Sequence, residues 1–448
     1  MILPLPLVPF EEYMLADDRP AYPMSFFIRL RFSGRFARPA LESAVRTAVG
    51  RHPLLSAVVR KTGRNRLAWV ASDKLEPVVQ WTLKPPGDQY PHAPAIDLHS
   101  EPGLRLWVLE GEQNSNLLLQ FHHSCCDGLA ALLLIEDLLV AYALATGQTW
   151  RQAALRPLDE KRLLKRGNFG LTRWKLLRMA PKQLVGLLGA QQFLMRSPVP
   201  IIPHRPELAN AQTPSAFPTA CTRAFDVDES AGLRATARRE GTTVNNLLAR
   251  NLFLALEDWR SRHHPGNDAD WLRLSVPINL RTAGDRQLPA SNVVSMVFLD
   301  RRPRKFDNPG RLLKGIHDEM QLIKQFQLGL TFVFSLRVFR ALPGGLARAT
   351  KADRPAVTCV LTNVGTALAR VPLPRREGRI VAGNVVLEGM DCLAPIRPYT
   401  SAAFTLFKYA HKLNVTLHYD PRPLSPGQAE DLLDTFMRRG RESLQTTS

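Results

Sequence analysis

The chain has 448 residues, 45% hydrophobic and 22% charged, the composition of an ordinary globular protein with length for two or three domains and a sizeable core. Its formal net charge of +19 asks for an anionic partner; zinc-finger spacing, an RNA-recognition signature and basic–aromatic interleaving are all missing, which argues against nucleic acid. Five irregularly spaced cysteines, Cys125, Cys126, Cys221, Cys359 and Cys392, exclude a disulfide scaffold and fit a reducing cytoplasm.

The segment Met1 to Phe10 carries prolines and no basic start, so no signal peptide is expected. No uninterrupted apolar run reaches transmembrane length. Leu3 to Tyr13 reads as an extended start turning into a short helix. Phe26 to Phe32 alternates apolar and polar residues, a strand pattern. Pro39 to Val49 places Leu41, Ala44, Val45 and Ala48 at helical spacing. Arg51-His52-Pro53-Leu54-Leu55 closes that helix and starts another strand. Leu67 to Ala71 and Val78 to Leu83 read as strands, followed by a proline-rich loop over Pro85 to Pro94. Leu104 to Leu109 and Leu117 to Phe121 form a hairpin whose second strand runs into a polar turn, His122-His123-Ser124-Cys125-Cys126-Asp127-Gly128. Leu129 to Ala145 is then apolar at helical spacing, interrupted by Glu136 and Asp137. Residues 1–150 thus make one α/β unit.

Residues 151–215 differ. Between Pro157 and Pro206 lie Lys161, Arg162, Lys165, Arg166, Arg173, Lys175, Arg178, Lys182, Arg196 and Arg205, against Asp159 and Glu160 alone. Leu171 to Met195 has helical apolar spacing through Trp174, Leu177, Leu184, Leu187, Leu188 and Phe193. Two readings stay open: a solvated linker helix, or a basic amphipathic surface for anionic lipid or an acidic partner. The second half runs over 216–448. Cys221 to Val227 reads as a strand and Glu229 to Arg239 as a helix. Gly241, Thr242 and Thr243 cap a helix over Val244 to Arg262. Leu272 to Leu280 and Asn292 to Asp300 are strands, the first ending at Arg281. Thr358 to Val364 is a strand carrying Thr362 and Asn363. Ala402 to Tyr409 and Lys412 to Tyr419 form a hairpin with His411 near its turn, and Gln428 to Ser443 is a closing helix.

The polar turn carries the chemistry. Imidazole is the side chain best matched to proton transfer near neutral pH. Gly128 permits a tight turn where a side chain would clash, and Asp127 can fix the loop by pairing with a distant arginine. Cys126 beside His123 reads either as a nucleophile or, with Cys125, as a small buried hydrophobe. No metal cluster is expected: the other histidines are scattered, and His263-His264 falls in an expected loop beside Pro265 and Gly266.

The pattern H-H-x-x-x-D-G resembles the signature of the CoA-dependent acyltransferase superfamily. This superfamily includes chloramphenicol acetyltransferase, plant acyl-CoA transferases, condensation domains of nonribosomal peptide synthetases, alcohol acetyltransferases, polyketide-associated acyltransferases and wax ester synthases. The Arg51 to Leu55 run, the Thr243-Val244-Asn245-Asn246 helix start and the Thr362-Asn363 strand end are similar to stretches of the same family in the same order. The Asp-Phe-Gly-Trp-Gly motif of the plant branch is missing. The resemblance implies an α/β fold of two chloramphenicol-acetyltransferase-like lobes, each a mixed sheet flanked by helices, with an active-site tunnel between them. It implies His123 as general base, His122 and His52 as structural residues, and Asp127 turned away from His123 to pair with Arg281, with Arg301 as the reserve. Thr362 and Asn363 are oxyanion or substrate-orienting candidates, or a polar strand end.

The implied activity is transfer of an acyl group from acyl-CoA, or from a phosphopantetheinyl carrier, to a hydroxyl acceptor, with no bound cofactor and no acyl-enzyme. The alternatives are amide formation on an acidic acyl carrier protein and a non-catalytic binding module of the same fold. Charge alone also leaves a membrane-surface or nucleic-acid adaptor. A monomer is expected, cytoplasmic or peripherally membrane-associated.

Overall fold

The structure, a computed structural model, describes residues 2–445 apart from 64–65, 73–76, 83–86, 88–89, 148–152, 172–173, 175–185, 187–188, 190, 204–206, 209–211, 215 and 352–353. In chain order its strands are β1 Leu5–Pro6, β2 Ser25–Ser33, β3 Ala57–Thr62, β4 Arg66–Ala71, β5 Val79–Thr82, β6 Leu104–Glu110, β7 Asn114–His122, β8 Thr219–Phe225, β9 Leu272–Asn279, β10 Val294–Arg301, β11 Cys359–Thr366, β12 Arg375–Arg376, β13 Arg379–Ala382, β14 Val385–Leu393, β15 Ala402–Tyr409 and β16 Lys412–Tyr419. Two large mixed sheets result. One runs β12-β13-β14-β2-β7-β6-β5, with β5 parallel to β6. The other runs β10-β9-β11-β15-β16-β8, with β11 parallel to both β9 and β15. A small third sheet, β1-β4-β3, flanks the first. Helices cover the sheets, giving the two-lobed α/β architecture.

Strand β7 is central because its sequence leaves no wet face. Leu117, Leu118, Leu119 and Phe121 are all fully buried, the continuous apolar run of a strand covered on both sides. It pairs antiparallel with β2, Phe121 opposite Phe26, and those rings stack at 4.9 Å. The helix Gly128–Ala145 follows. It is the one helix among the described residues long and apolar enough to cross a membrane, but it is mostly buried inside the protein, as a core helix is. Its two interrupting acids are paired, Asp137 with Arg51 and Glu136 with Arg156.

The expected division at residue 216 is crossed by the chain. Strands β12 to β14, from the second half, complete the first sheet, with β14 antiparallel to β2 from Val386–Ser33 to Leu393–Phe27. Strand β2 needs a partner on the side away from β7, and nothing in residues 1–150 supplies one. The buried Asp391 carboxylate fixes this register by accepting from Arg29 Nε at 2.7 Å and from Arg31. The sequence reading also leaves residues 301–357 without elements, whereas they form helices Pro309–Gln325, Gly329–Ala341 and Gly345–Ala349. The first begins at an Asn308 cap with Pro309 next, and buries Leu312, Leu313, Ile316 and Ile323. Pro53–Leu55 is a 3-10 turn, with β3 starting only at Ala57. His263 ends the helix Val244–His263 rather than lying in a loop, and its Nε2 pairs with Asp431 at 2.7 Å. The expected helix over Leu171 to Met195 falls largely outside the described residues, as does Arg205.

Candidate active site

Between the two sheets lies a cavity of ≈ 1740 Å³, walled by Phe26 and Ile28 of β2, Val294 and Met296 of β10, and Thr362 of β11. His123 stands on this wall. Its backbone N–H donates to the Met24 carbonyl at 2.7 Å, extending the β2–β7 pairing beyond the strand. Phe26 and Phe10 meet its ring edge-on, with centroids 5.2 and 6.5 Å away. Nδ1 is buried without a hydrogen-bond partner, which leaves Nε2 as the nitrogen on the cavity side. Burial holds the imidazole below the ordinary histidine value of 6.5, against smaller opposing effects of its own carbonyl and of the Asp127 charge. The ring is therefore neutral at pH 7 and free to accept a proton.

Asp127 serves the loop instead. Oδ1 accepts from the Ala130 N–H at 3.0 Å, capping the helix. Oδ2 accepts from the Val293 N–H at 2.9 Å and from Arg281 Nη1 at 2.8 Å. None of these bonds reaches His123, so a Ser-His-Asp-like relay is not built here. Arg301, the reserve partner, is taken by Glu319 at 2.8 Å. His122 is fully buried. Its Nδ1 accepts from the Ser124 N–H at 3.1 Å, and its Nε2 lies 3.5 Å from Asp18. His52 is equally buried and accepts from the Ala290 N–H at 2.9 Å, far from the motif in sequence. Both cysteines of the motif are fully buried, and burial pushes their thiols well above the usual range. They pack as hydrophobes and offer no thiolate.

The glycines of this corner act in different ways. A Cβ on Gly103 would lie 2.0 Å from Cys125 Sγ, so the motif loop can close only over a glycine there. At Gly128 the expected clash is not found. The residue starts the helix Gly128–Ala145 without a left-handed backbone, and a Cβ would meet Val364 Cγ1 at an ordinary 3.5 Å. Gly128 instead borders the cavity, where a missing side chain leaves room.

Thr362 and Asn363 part ways. Asn363 also borders the cavity, but its amide is engaged at both ends: Nδ2 donates to Asn245 Oδ1 on the helix Val244–His263 at 2.6 Å, and Oδ1 accepts from the Gly365 N–H at 2.8 Å. Thr362 lines the cavity beside Thr405, its partner across the parallel β11–β15 pair, and the Thr405 hydroxyl is buried without a partner. Two hydroxyls thus reach the cavity from paired positions on neighbouring strands. Sequence reading missed Thr405, and it missed Asn292. Asn292 Nδ2 donates at 2.8 Å to the carbonyls of both His123 and Ser124, clamping the loop from the other lobe. Only the alternation along β15 hinted at the inward face of Thr405. Among the described residues no group of His, Cys, Asp and Glu could hold a metal.

No family model matches the chain. It is 29% identical over 301 residues to an uncharacterised Mycobacterium tuberculosis protein, Rv2305, a match covering 66% of each chain, just under two thirds of that relative. It is 29% identical over 248 residues to phosphinothricin tripeptide synthetase PhsC of Streptomyces viridochromogenes, covering 51% of this chain and 21% of that one. Among solved structures it is similar to the first condensation domain of the CDA synthetase, with TM-score 0.69, 15% identity, and 99% and 97% of the two chains covered. It is also similar to polyketide synthase associated protein 5 from Mycobacterium tuberculosis, with TM-score 0.62, 15% identity, and 99% and 98% covered.

Proposed function

We propose that the protein, whose fold is that of the condensation domains and the CoA-dependent acyltransferases, transfers an acyl group from a thioester donor to a hydroxyl acceptor. The observation that carries this reading is a neutral, unpaired His123 on the cavity wall while the nearby Asp127 is committed elsewhere. His123 Nε2 takes the acceptor proton as its oxygen attacks the thioester carbonyl. The tetrahedral intermediate then collapses, the C–S bond breaks, and the leaving thiolate recovers that proton from the imidazolium. A positioned base of this kind contributes about 10²–10⁴-fold; holding donor and acceptor together supplies more. The Thr362 and Thr405 hydroxyls stand on the same cavity wall and can orient a substrate oxygen. The donor is acyl-CoA or an acyl-phosphopantetheinyl carrier protein. A second reading, attack by a carrier-bound amine to form an amide, is favoured by the likeness to the CDA synthetase condensation domain and to PhsC.

Thiol release from a panel of acyl-CoAs of increasing chain length, with and without alcohol and amine acceptors, tests the reading. Alcohol-dependent release supports the hydroxyl acceptor, and release only with amines supports amide formation. No release from any CoA ester or acylated carrier by the folded protein contradicts both.

A further inference from the structure

The helix Gly329–Ala341 has an apolar end that the fold leaves uncovered. Its last turn and the residue after it expose Val338 by 60%, Phe339 by 37% and Leu342 by 48%. Val338 and Leu342 are four residues apart, so the three side chains form one contiguous face. The chain then doubles back. Gly345 lies so close to Phe339 that a Cβ would stand 2.0 Å from its carbonyl oxygen. The short helix Gly345–Ala349 packs against the first, which leaves Leu342 at the apex of the turn. Apolar residues scattered singly are ordinary on a surface, but three together at a turn mark a contact site. The surroundings are basic. From Gln321 to Arg354 the sequence carries Lys324, Arg337, Arg340, Arg348, Lys351 and Arg354 against Asp353 alone. Arg340 pairs with Glu12 at 2.8 Å, whereas Arg348 is exposed and has no ion pair among the described residues.

Apolar side chains beside an unpaired arginine suit an anionic lipid surface, where the side chains enter the acyl boundary and the guanidinium stays at the headgroups. Two observations favour lipid over an acidic protein. The pair of helices Pro309–Gln325 and Gly329–Ala341, bent at 61°, is together apolar enough to enter a membrane by length and composition. The exposed face also continues inward. Phe332, Ser335, Leu336 and Phe339, at helical spacing, all border the cavity. Phe332 to Phe339 is roughly 10 Å of helix. At the inner end Phe10 bridges Phe332 and His123, its ring centroid 6.4 Å from the one and 6.5 Å from the other. A largely apolar strip thus leads from the exposed turn to the base. We propose that Val338, Phe339 and Leu342 dock the protein on an anionic lipid surface, with Arg348 at the headgroups, and that the acyl chain of a lipid-borne substrate reaches His123 along this strip. Delivery along the strip rests on the transfer reading above; the docking does not.

The test is flotation of the full chain with vesicles of phosphatidylcholine alone and of phosphatidylcholine with phosphatidylglycerol in equal parts, at low and high salt. The protein binds the mixed vesicles roughly tenfold tighter than the neutral ones, and salt narrows the difference. A Val338→Asp, Leu342→Asp double variant keeps its melting temperature, because both side chains are exposed, and loses about tenfold in vesicle binding. Arg348→Gln binds more weakly and with less salt dependence, whereas Val227→Asp, at an exposed apolar residue elsewhere, binds as the wild type does. No binding to the mixed vesicles overturns the docking, as does binding that survives in the folded double variant. Capture of an acidic acyl carrier protein through the same residues, without vesicle binding, makes the occupant a protein and overturns the lipid. Thiol release separates the two parts. The double variant loses turnover of a vesicle-borne long-chain alcohol and keeps that of a soluble short-chain one; equal use of both by the variant overturns delivery along the strip. Vesicle binding without thiol release from any donor leaves the docking standing and rejects the transfer reading.

Discussion

His123 and Asp127 lie four residues apart in one loop, yet their surroundings are opposite. His123 is ringed by Phe10 and Phe26 and has a buried, unpaired Nδ1. Asp127 has three partners, two of them from the other half of the sequence. An unpaired base in an apolar wall stays neutral and ready to take a proton. A carboxylate with every oxygen engaged has nothing left to give the reaction, and it ties the helix start, the loop and strand β10 together. The motif therefore divides its labour, one residue reacting and the other holding.

Removing the holding residue has the largest effect on folding. Asp127→Ala leaves Arg281 and the Val293 N–H without their acceptor, and breaking a buried pair this way costs about 3–5 kcal/mol. Thermal or urea unfolding reads this as a large loss of stability, whereas an unchanged melting temperature with lost turnover would give Asp127 the chemical role denied to it here. Asn292→Leu comes next. It frees the His123 and Ser124 carbonyls, at about 1–3 kcal/mol for buried groups left unpaired, and it lowers kcat because the loop carrying the base is no longer clamped. Full activity in that variant would show that the clamp does not position His123.

The acid side of the pH profile sharpens the comparison further. With its folded value below 6.5, His123 is mostly unprotonated at pH 6.5, so the acid limb of kcat/KM falls below that pH; a limb at or above 6.5 contradicts a desolvated base whose Nδ1 has no partner. Stability follows the same sign. Burial lowers His52 and His123, and takes His418 down to about 4. As pH drops through 6.5 the unfolded chain binds these protons first. Unfolding free energy therefore falls below pH 6.5 and continues to fall towards pH 4. The smallest effect is that of Gly128→Ala, which meets Val364 at ordinary contact and costs under about 1 kcal/mol. A loss of turnover there with normal folding would mean that substrate occupies the space beside the helix start.

Most of the first lobe could be read from the chain because its signals are local. The apolar run of β7, the polar turn and the helix after it are consecutive, and period and capping mark them without reference to anything distant. Strand β14 could not be placed this way: its residues show no clean alternation, its partner Ser33 lies hundreds of residues earlier, and pairing across the lobes leaves no local trace. The helices over residues 309–349 went unread, although the Asn308–Pro309 start and the Leu312, Leu313, Ile316 spacing mark the first of them. Within the site, histidine and aspartate declare themselves by residue type. Asn292 and Thr405 do not, because an asparagine clamp and an inward hydroxyl are products of register between strands. Gly128 shows the reverse hazard, since glycine in a turn suggests a backbone need that its geometry does not have.

The division of labour is tested most directly by measuring turnover and melting temperature together in His123→Ala and Asp127→Ala, with the wild-type protein, a thioester donor and its acceptor. The account predicts that His123→Ala loses about 10²–10⁴-fold in thiol release while keeping its melting temperature within a few degrees, and that Asp127→Ala loses its stability first. A well-folded His123→Ala that still releases thiol at the wild-type rate would contradict it.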